Sequence, residues 1–131
     1  MKLYLLLAAA ATSLVSCGEL TKLEIKTVEA VSDCSVKAAK GDVVSVHYTG
    51  KLLSDGTIFD SSINRGQPIQ FTLGVGQVIR GWDEGLIGAC VGEKRDLYIP
   101  SSYGYGARGA GNVIPPDADL FFETELVAVK N

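Results

Sequence analysis

The stretch Gln77–Gly88, QVIRGWDEGLIG, contains the only tryptophan of the chain. Within it Ile79, Trp82, Leu86 and Ile87 recur at spacings near three and four, the period of an α-helix, and predict a helix of about two to three turns. Gly81, Gly85 and Gly88 each weaken such a helix by about 1 kcal/mol relative to alanine. The segment therefore needs a sheet to hold it, and glycine there points to close approach of helix and sheet.

The flanks supply that sheet. TKLEIKTV, residues 21–28, alternates Leu23, Ile25 and Thr27 against charged neighbours, the pattern of a half-buried strand. The chain turns at Gly41 in AAKGD, and VVSVHYTGKL follows over residues 43–52. Period-2 reading puts Val44, Val46 and Tyr48 inward and Ser45, His47 and Thr49 on the other face. SDGT, residues 54–57, marks a turn, and Phe59 restarts the apolar pattern beyond it. PIQFTL, RDLYIP and DLFFETELVAV read as further strands, the last with Leu120, Phe122, Thr124 and Leu126 inward against Glu123 and Glu125. The expectation is an α+β domain: an antiparallel sheet of about five strands, curved over one short helix.

A chain of 131 residues with 21% charged residues and a net charge of -3 allows one domain and lacks the basic footprint of a nucleic-acid binder. The opening MKLYLLLAAAATSLVSCG has a lysine, an apolar run and a small-residue end, the layout of a cleaved signal peptide over residues 1–17, leaving 18–131 as the mature domain. Leu14, Val15 and Ser16 before Cys17 also fit the box read for bacterial lipidation, so a lipid-anchored form is the alternative. After cleavage Cys34 and Cys90 remain, and an oxidising compartment makes a disulfide between them the first expectation; two buried free thiols are the other. Two cysteines and one histidine do not make a four-ligand zinc site. No metal, cofactor or nucleic acid is expected, and the mature protein is expected to be a monomer free of the membrane.

Covalent catalysis needs a nucleophile with a base, a metal or a cofactor loop. None is convincing here. His47, the single histidine, falls on the strand face opposite Tyr48, and GYGARGAG lacks the spacing of a phosphate loop. What stands out is the set of apolar side chains beside turns: Tyr48, Phe59, Trp82, Tyr105, Val113, Ile114 and Phe122. Several abut SSYGYGARGAGNVIPP, a glycine- and proline-bearing loop of the kind that builds pockets.

VHYTGKL, FDSS, LGVGQVIRGWDEG, GEKRDLYIP, YGYG and VIPPDADLFFETEL occur in the order and nearly the spacing of the FKBP-type immunophilins, the macrolide-binding peptidyl-prolyl isomerases. The chain resembles that family over about residues 22–130, and most of all its small secretory-pathway branch. Members of that branch carry cysteines at the places of Cys34 and Cys90, which converges with the disulfide argued from compartment. The resemblance implies a sheet wrapped over one short helix, with Trp82 beginning the helix as the flat floor of a shallow pocket and the neighbouring glycine leaving room for the indole. It assigns catalytic roles to Tyr48, Phe59, Asp60, Trp82, Tyr105 and Phe122. Tyr105 would donate a hydrogen bond to a bound carbonyl, and Asp60 would accept from Tyr48 and pair with Arg65. Ile69, Phe71, Gln77, Val78, Ile79, Val113 and Ile114 would complete the binding surface, the Ile79 N–H among its contacts.

Proline-containing polypeptides are the implied substrates, and tacrolimus- and rapamycin-type macrolides the implied inhibitors. The implied place of action is the endoplasmic reticulum lumen or the exterior; VAVKN at the end carries no KDEL-like signal. Ile69 where many members have an aromatic wall, Gln77 where an acid is common, and RGAGN in the following loop depart from the pattern and bear on macrolide affinity. A binding module that keeps the pocket but turns over little would be signalled by loss of the floor or wall aromatics, and all of these are present.

Overall fold

The computed structural model describes residues 20–130; the signal-peptide reading and Cys17 lie outside them. Six strands form one antiparallel sheet: β1 Glu24–Glu29, β2 Val43–Leu52, β3 Ile58–Ser61, β4 Ile69–Thr72, β5 Lys94–Ile99 and β6 Leu120–Lys130. Two short helices, α1 Ser62–Arg65 and α2 Arg80–Gly85, and two 3-10 turns, Ser101–Tyr103 and Gly106–Arg108, complete the described elements. The strand order is β1-β5-β6-β2-β3, with β4 also on β2. β3 and β4 share one edge of β2: β4 pairs along Val43–Val46 and β3 along Thr49–Lys51.

The alternation read from sequence holds in the centre of the sheet. Val44, Val46, Tyr48 and Leu52 of β2 and Leu120, Phe122, Thr124 and Leu126 of β6 are buried, in a register running from Val43↔Lys130 to Leu52↔Leu120 with a bulge after Ser45. Leu97 and Ile99 of β5, Phe71 of β4 and Leu73 just after it, and Trp82 and Leu86 at α2 close the core from the same side.

Three expectations are corrected. The run around Phe59 is a sixth strand in its own right, four residues long; so short a run shows too little alternation to be separated from the turn before it. α2 has six residues rather than two to three turns, since Ile79 is extended at its start without a side-chain cap and Gly88 turns away at φ 81°. Ile87 consequently leaves the helical face and is exposed. β1 is an edge strand paired only with β5; Ile25 is 46% exposed, and Leu23 alone of its apolar set packs on the core.

Gly81 and Gly85 act on the helix-to-sheet distance. A Cβ on Gly81 would stand 2.6 Å from Ile99 Cδ1, and one on Gly85 2.9 Å from Leu97 Cδ2. The glycine beside Trp82 thus makes room for β5 and not, as the resemblance suggested, for the indole. Two helical glycines cost about 2 kcal/mol, which burial of Leu86, worth about 1.5–3 kcal/mol, and of the larger Trp82 outweighs.

Cys34 and Cys90 are joined by a disulfide across 56 residues, their Cα atoms 5.4 Å apart. Beside it Ala38 N–H donates to Ala89 O and Gly88 N–H to Ala38 O, both at 2.8 Å, so the segment before β2 is tied to the loop after α2. Buried Glu93 accepts from Cys90 N–H at 2.8 Å, Thr27 Oγ1 at 2.9 Å and Arg95 Nε at 2.7 Å. Arg95 in turn donates to the Gly85 and Ile87 carbonyls, satisfying oxygens that the end of α2 leaves open.

Candidate active site

The concave face of the sheet, α2 and the loops at their edge enclose a cavity of about 270 Å³. β2 contributes Tyr48, β3 Phe59 and Asp60, β4 Ile69 and β6 Phe122; Gln77, Val78 and Ile79 precede α2, which carries Trp82, and Tyr105 comes from the loop between the 3-10 turns. Each of these was named from the sequence. Period-2 alternation aims Tyr48 and Phe122 at the same face, because they stand two pairs apart on adjacent strands: Tyr48 opposite Thr124 and Phe122 opposite Gly50.

The floor is Trp82, 4% exposed. Tyr48 stands edge-on to it at 4.9 Å between centroids and Phe122 at 5.3 Å, and Phe59 meets Phe122 edge-on at 5.6 Å. Edge-to-face rings at these distances attract beyond simple burial, by about 0.5–1.5 kcal/mol per pair. The indole Nε1–H is buried without a hydrogen-bond partner among the described residues.

One wall is polar. Tyr48 donates its hydroxyl proton to Asp60 Oδ2, while Arg65 donates to Asp60 Oδ1 at 2.6 Å and to the Tyr48 hydroxyl oxygen at 2.9 Å. Burial and then the Asp60 hydrogen bond raise the Tyr48 hydroxyl above its ordinary value, against Arg65. Partial burial pushes the Asp60 carboxyl up, but hydrogen bonds from Tyr48 and Arg65 outweigh it and hold the group below the usual aspartate range. The triangle is thus an ionised pair with a neutral phenol locked between its members. Burial and the nearby Asp60 charge likewise raise Tyr105, which stays a neutral hydrogen-bond donor at the mouth.

Four expected residues are not on the lining. Arg65 stands behind Asp60 and Tyr48. Phe71 lies in the core against Trp82, 5.6 Å between centroids. Ile114 is 4% exposed in the core, whereas Val113 is 55% exposed on the loop: adjacent residues of a turn point oppositely, and sequence position alone does not say which one turns in. His47 is on the far side of the sheet, 2.9 Å from Ser62 Oγ through Nδ1. There it borders a second cavity with Lys94, Asp96, Glu123 and Glu125, which has no aromatic wall.

Gly50 and Asp83 were missed. Gly50 sits mid-strand under the Phe59 and Phe122 rings, and its only signal is a glycine in an otherwise regular strand. Asp83 holds the loop that forms the rim.

The family model of the FKBP-type peptidyl-prolyl cis-trans isomerases matches residues 34–127. The chain belongs to this family. FKBP-type relatives match along most of their length. FK506-binding protein 2 of Kluyveromyces lactis is 64% identical over 112 residues, covering 86% of this chain and 80% of that one. Peptidyl-prolyl cis-trans isomerase FPR2 of Saccharomyces cerevisiae is 59% identical over 121 residues, 91% and 90% of the two chains. Peptidyl-prolyl cis-trans isomerase FKBP2 of Homo sapiens is 53% identical over 124 residues, 95% and 86%. The crystal structure of AtFKBP13 superposes with a TM-score of 0.75 at 37% identity, covering 86% of this chain and 96% of that one. As an FKBP-type isomerase the chain catalyses cis-trans rotation about peptide bonds that precede proline.

Proposed function

We propose that the 270 Å³ aromatic cavity is where the X-Pro bond turns, and that it works by withdrawing water from the amide rather than by acid-base chemistry. Amide resonance sets a barrier of about 18–20 kcal/mol. Twisting the bond toward 90° removes the resonance and with it much of the charge separation on carbonyl and nitrogen. An apolar enclosure therefore favours the twisted form over the planar one, which is differential binding of the transition state. Trp82, Phe59 and Phe122 seat the prolyl ring; Tyr105 and the Ile79 N–H, which meets no backbone acceptor among the described residues, are placed for carbonyls on either side. Lowering the barrier by about 7 kcal/mol corresponds to about a 10⁵-fold acceleration.

The observation that carries the reading is the Tyr48–Asp60–Arg65 triangle: the one ionisable cluster on the wall is internally satisfied, leaving no base poised to take a proton from substrate. Clients are proline-containing polypeptides of the secretory pathway, reached by cleavage of residues 1–17 and retention in, or passage through, the endoplasmic reticulum, with the mature domain acting as a monomer. Three relatives bear the name FK506-binding protein 2, and the same cavity is the proposed macrolide site. A protease-coupled assay on Leu-Pro peptides, with and without tacrolimus, tests the site. Phe59→Ala is expected to cost on the order of 30- to 150-fold in kcat/KM, from about 2–3 kcal/mol of lost enclosure, and His47→Ala less than about threefold. Wild-type rate in Phe59→Ala rejects this cavity as the prolyl site, and no inhibition by tacrolimus rejects it as the macrolide site.

A further inference from the structure

The connection from Leu73 to Ile79 between β4 and α2 ends in Gln77, Val78 and Ile79, three consecutive lining residues of the cavity. A run of this kind needs an anchor, and its own composition gives little: Gly74 and Gly76 adopt φ 83° and 84°, conformations open to glycine, and Val75 between them is 52% exposed. The anchor comes from the helix. Asp83 Oδ1 accepts the Gly74 N–H at 2.8 Å, and Oδ2 accepts the Gly76 N–H at 2.9 Å. Gln77 Oε1 closes the loop on itself by accepting the Thr72 N–H at 2.9 Å.

We infer that Asp83 is a positioning residue that sets the rim of the prolyl site relative to its floor; the inference rests on the cavity being that site. An acid in the first turn of a helix ordinarily answers the helix's own N–H groups and positive end. Here α2 has no side-chain cap at all, and both carboxylate oxygens are spent on the loop. A carboxylate is the one side chain of this size that offers two acceptors and no donor, and hydrogen bonds to an ionised acceptor are about twice as strong as neutral ones. Asp83 directly follows Trp82. The backbone step that places the indole floor therefore also places the group that holds Gly74 and Gly76, and the rim moves with the floor as one body. Asn in its place keeps one acceptor and turns an amide donor toward the other N–H, releasing one end of the loop.

Two measurements test this. Amide hydrogen exchange on the wild-type protein is expected to find Gly74 and Gly76 slower than Val75 after correction for intrinsic rates; equal rates would show that the clamp does not hold and overturn the proposal without any variant. In Asp83→Asn, exchange is expected to rise at the glycine whose N–H then faces the amide nitrogen, and KM for a Leu-Pro peptide to rise on the order of tenfold with kcat changed far less, the signature of lost ground-state positioning. Asp83→Glu, which restores two acceptors, is expected to recover most of the KM. Thr27→Ala, which removes a hydrogen bond to Glu93, is the control for general loss of stability and is expected to leave KM alone. An Asp83→Asn protein with wild-type KM, or one matched by Thr27→Ala in both KM and kcat, overturns the proposal. An inactive wild type would instead reject the cavity as the prolyl site, while the exchange rates still decide the clamp.

Discussion

Gly50 of β2 lies directly beneath the ring of Phe122: a Cβ built on it would stand 2.6 Å from Phe122 Cε2 and 2.8 Å from Phe59 Cζ. The two rings that wall the cavity reach their edge-to-face geometry because the strand under them has no side chain there.

Gly50→Ala is therefore expected to act as a wall mutation although it adds only a methyl group. The strand backbone tolerates alanine, so the strain falls on the two rings, with an overpacking cost of about 1–3 kcal/mol. Kinetics should show kcat/KM falling at least tenfold, as loss of about 1.4 kcal/mol of transition-state stabilisation requires. An active Gly50→Ala protein with an unshifted melting curve would show that the rings have room to spare.

The rate should be nearly flat between about pH 6 and 8.5. Tyr48 and Tyr105 are raised above the ordinary phenol value and Asp60 is lowered below the ordinary carboxylate value, so each moves away from this window. Stability behaves differently at acid pH. Glu93, which burial tends to raise, is held low by Arg95 and by its hydrogen bonds from Cys90 and Thr27. A carboxylate lowered by folding stabilises fully above its unfolded value, near 4.3 for glutamate, and that contribution is lost as pH falls through the folded value. Denaturant titrations from pH 7 down should show stability dropping only below about pH 5, and Glu93→Gln should flatten part of that drop.

Asp96 has the opposite sign. Partial burial, then the charge of Glu123, raise it against Lys26 and Lys51, and Asp96 stands directly across from Glu123 in the β5–β6 register. Like charges in that position destabilise a sheet by roughly 0.2–1 kcal/mol. Asp96→Asn is expected to raise the melting temperature by a few degrees at pH 7, the gain shrinking as pH falls and the wild-type carboxyl takes up its proton. Calorimetry at pH 7 and pH 4 gives the comparison.

Reduction of the Cys34–Cys90 bond should lower stability by up to about 4 kcal/mol, the chain-entropy value for a loop of this length. Most activity at 25 °C should survive. Neither cysteine borders the cavity, and the Ala38 hydrogen bonds to Gly88 and Ala89 still tie the segment down. Melting curves and the prolyl assay with and without reductant separate the two effects; collapse of activity at a temperature where the reduced protein is still folded would give the bond a role in the site.

Strong alternation needs no tertiary help: β2 and β6 each carry ten or more residues of inward and outward side chains, so Tyr48 and Phe122 could be aimed at one face from local pattern alone. The same holds for Trp82, whose burial follows from its spacing to Ile79 and Leu86. β1 and Ile87 show where pattern stops. Alternation in β1 says which side chains share a face, but only the sheet order leaves that face uncovered at an edge, and only the end of α2 at Gly85 turns Ile87 outward. The cavity's lining was legible residue by residue through motif likeness, while Val113 and Ile114 were separable only once the loop's backbone was folded. Gly50 and Asp83 belong wholly to the tertiary structure, because a glycine matters through the rings stacked over it and a carboxylate through the N–H groups brought to it, and neither partner is a neighbour that spacing in the chain can name.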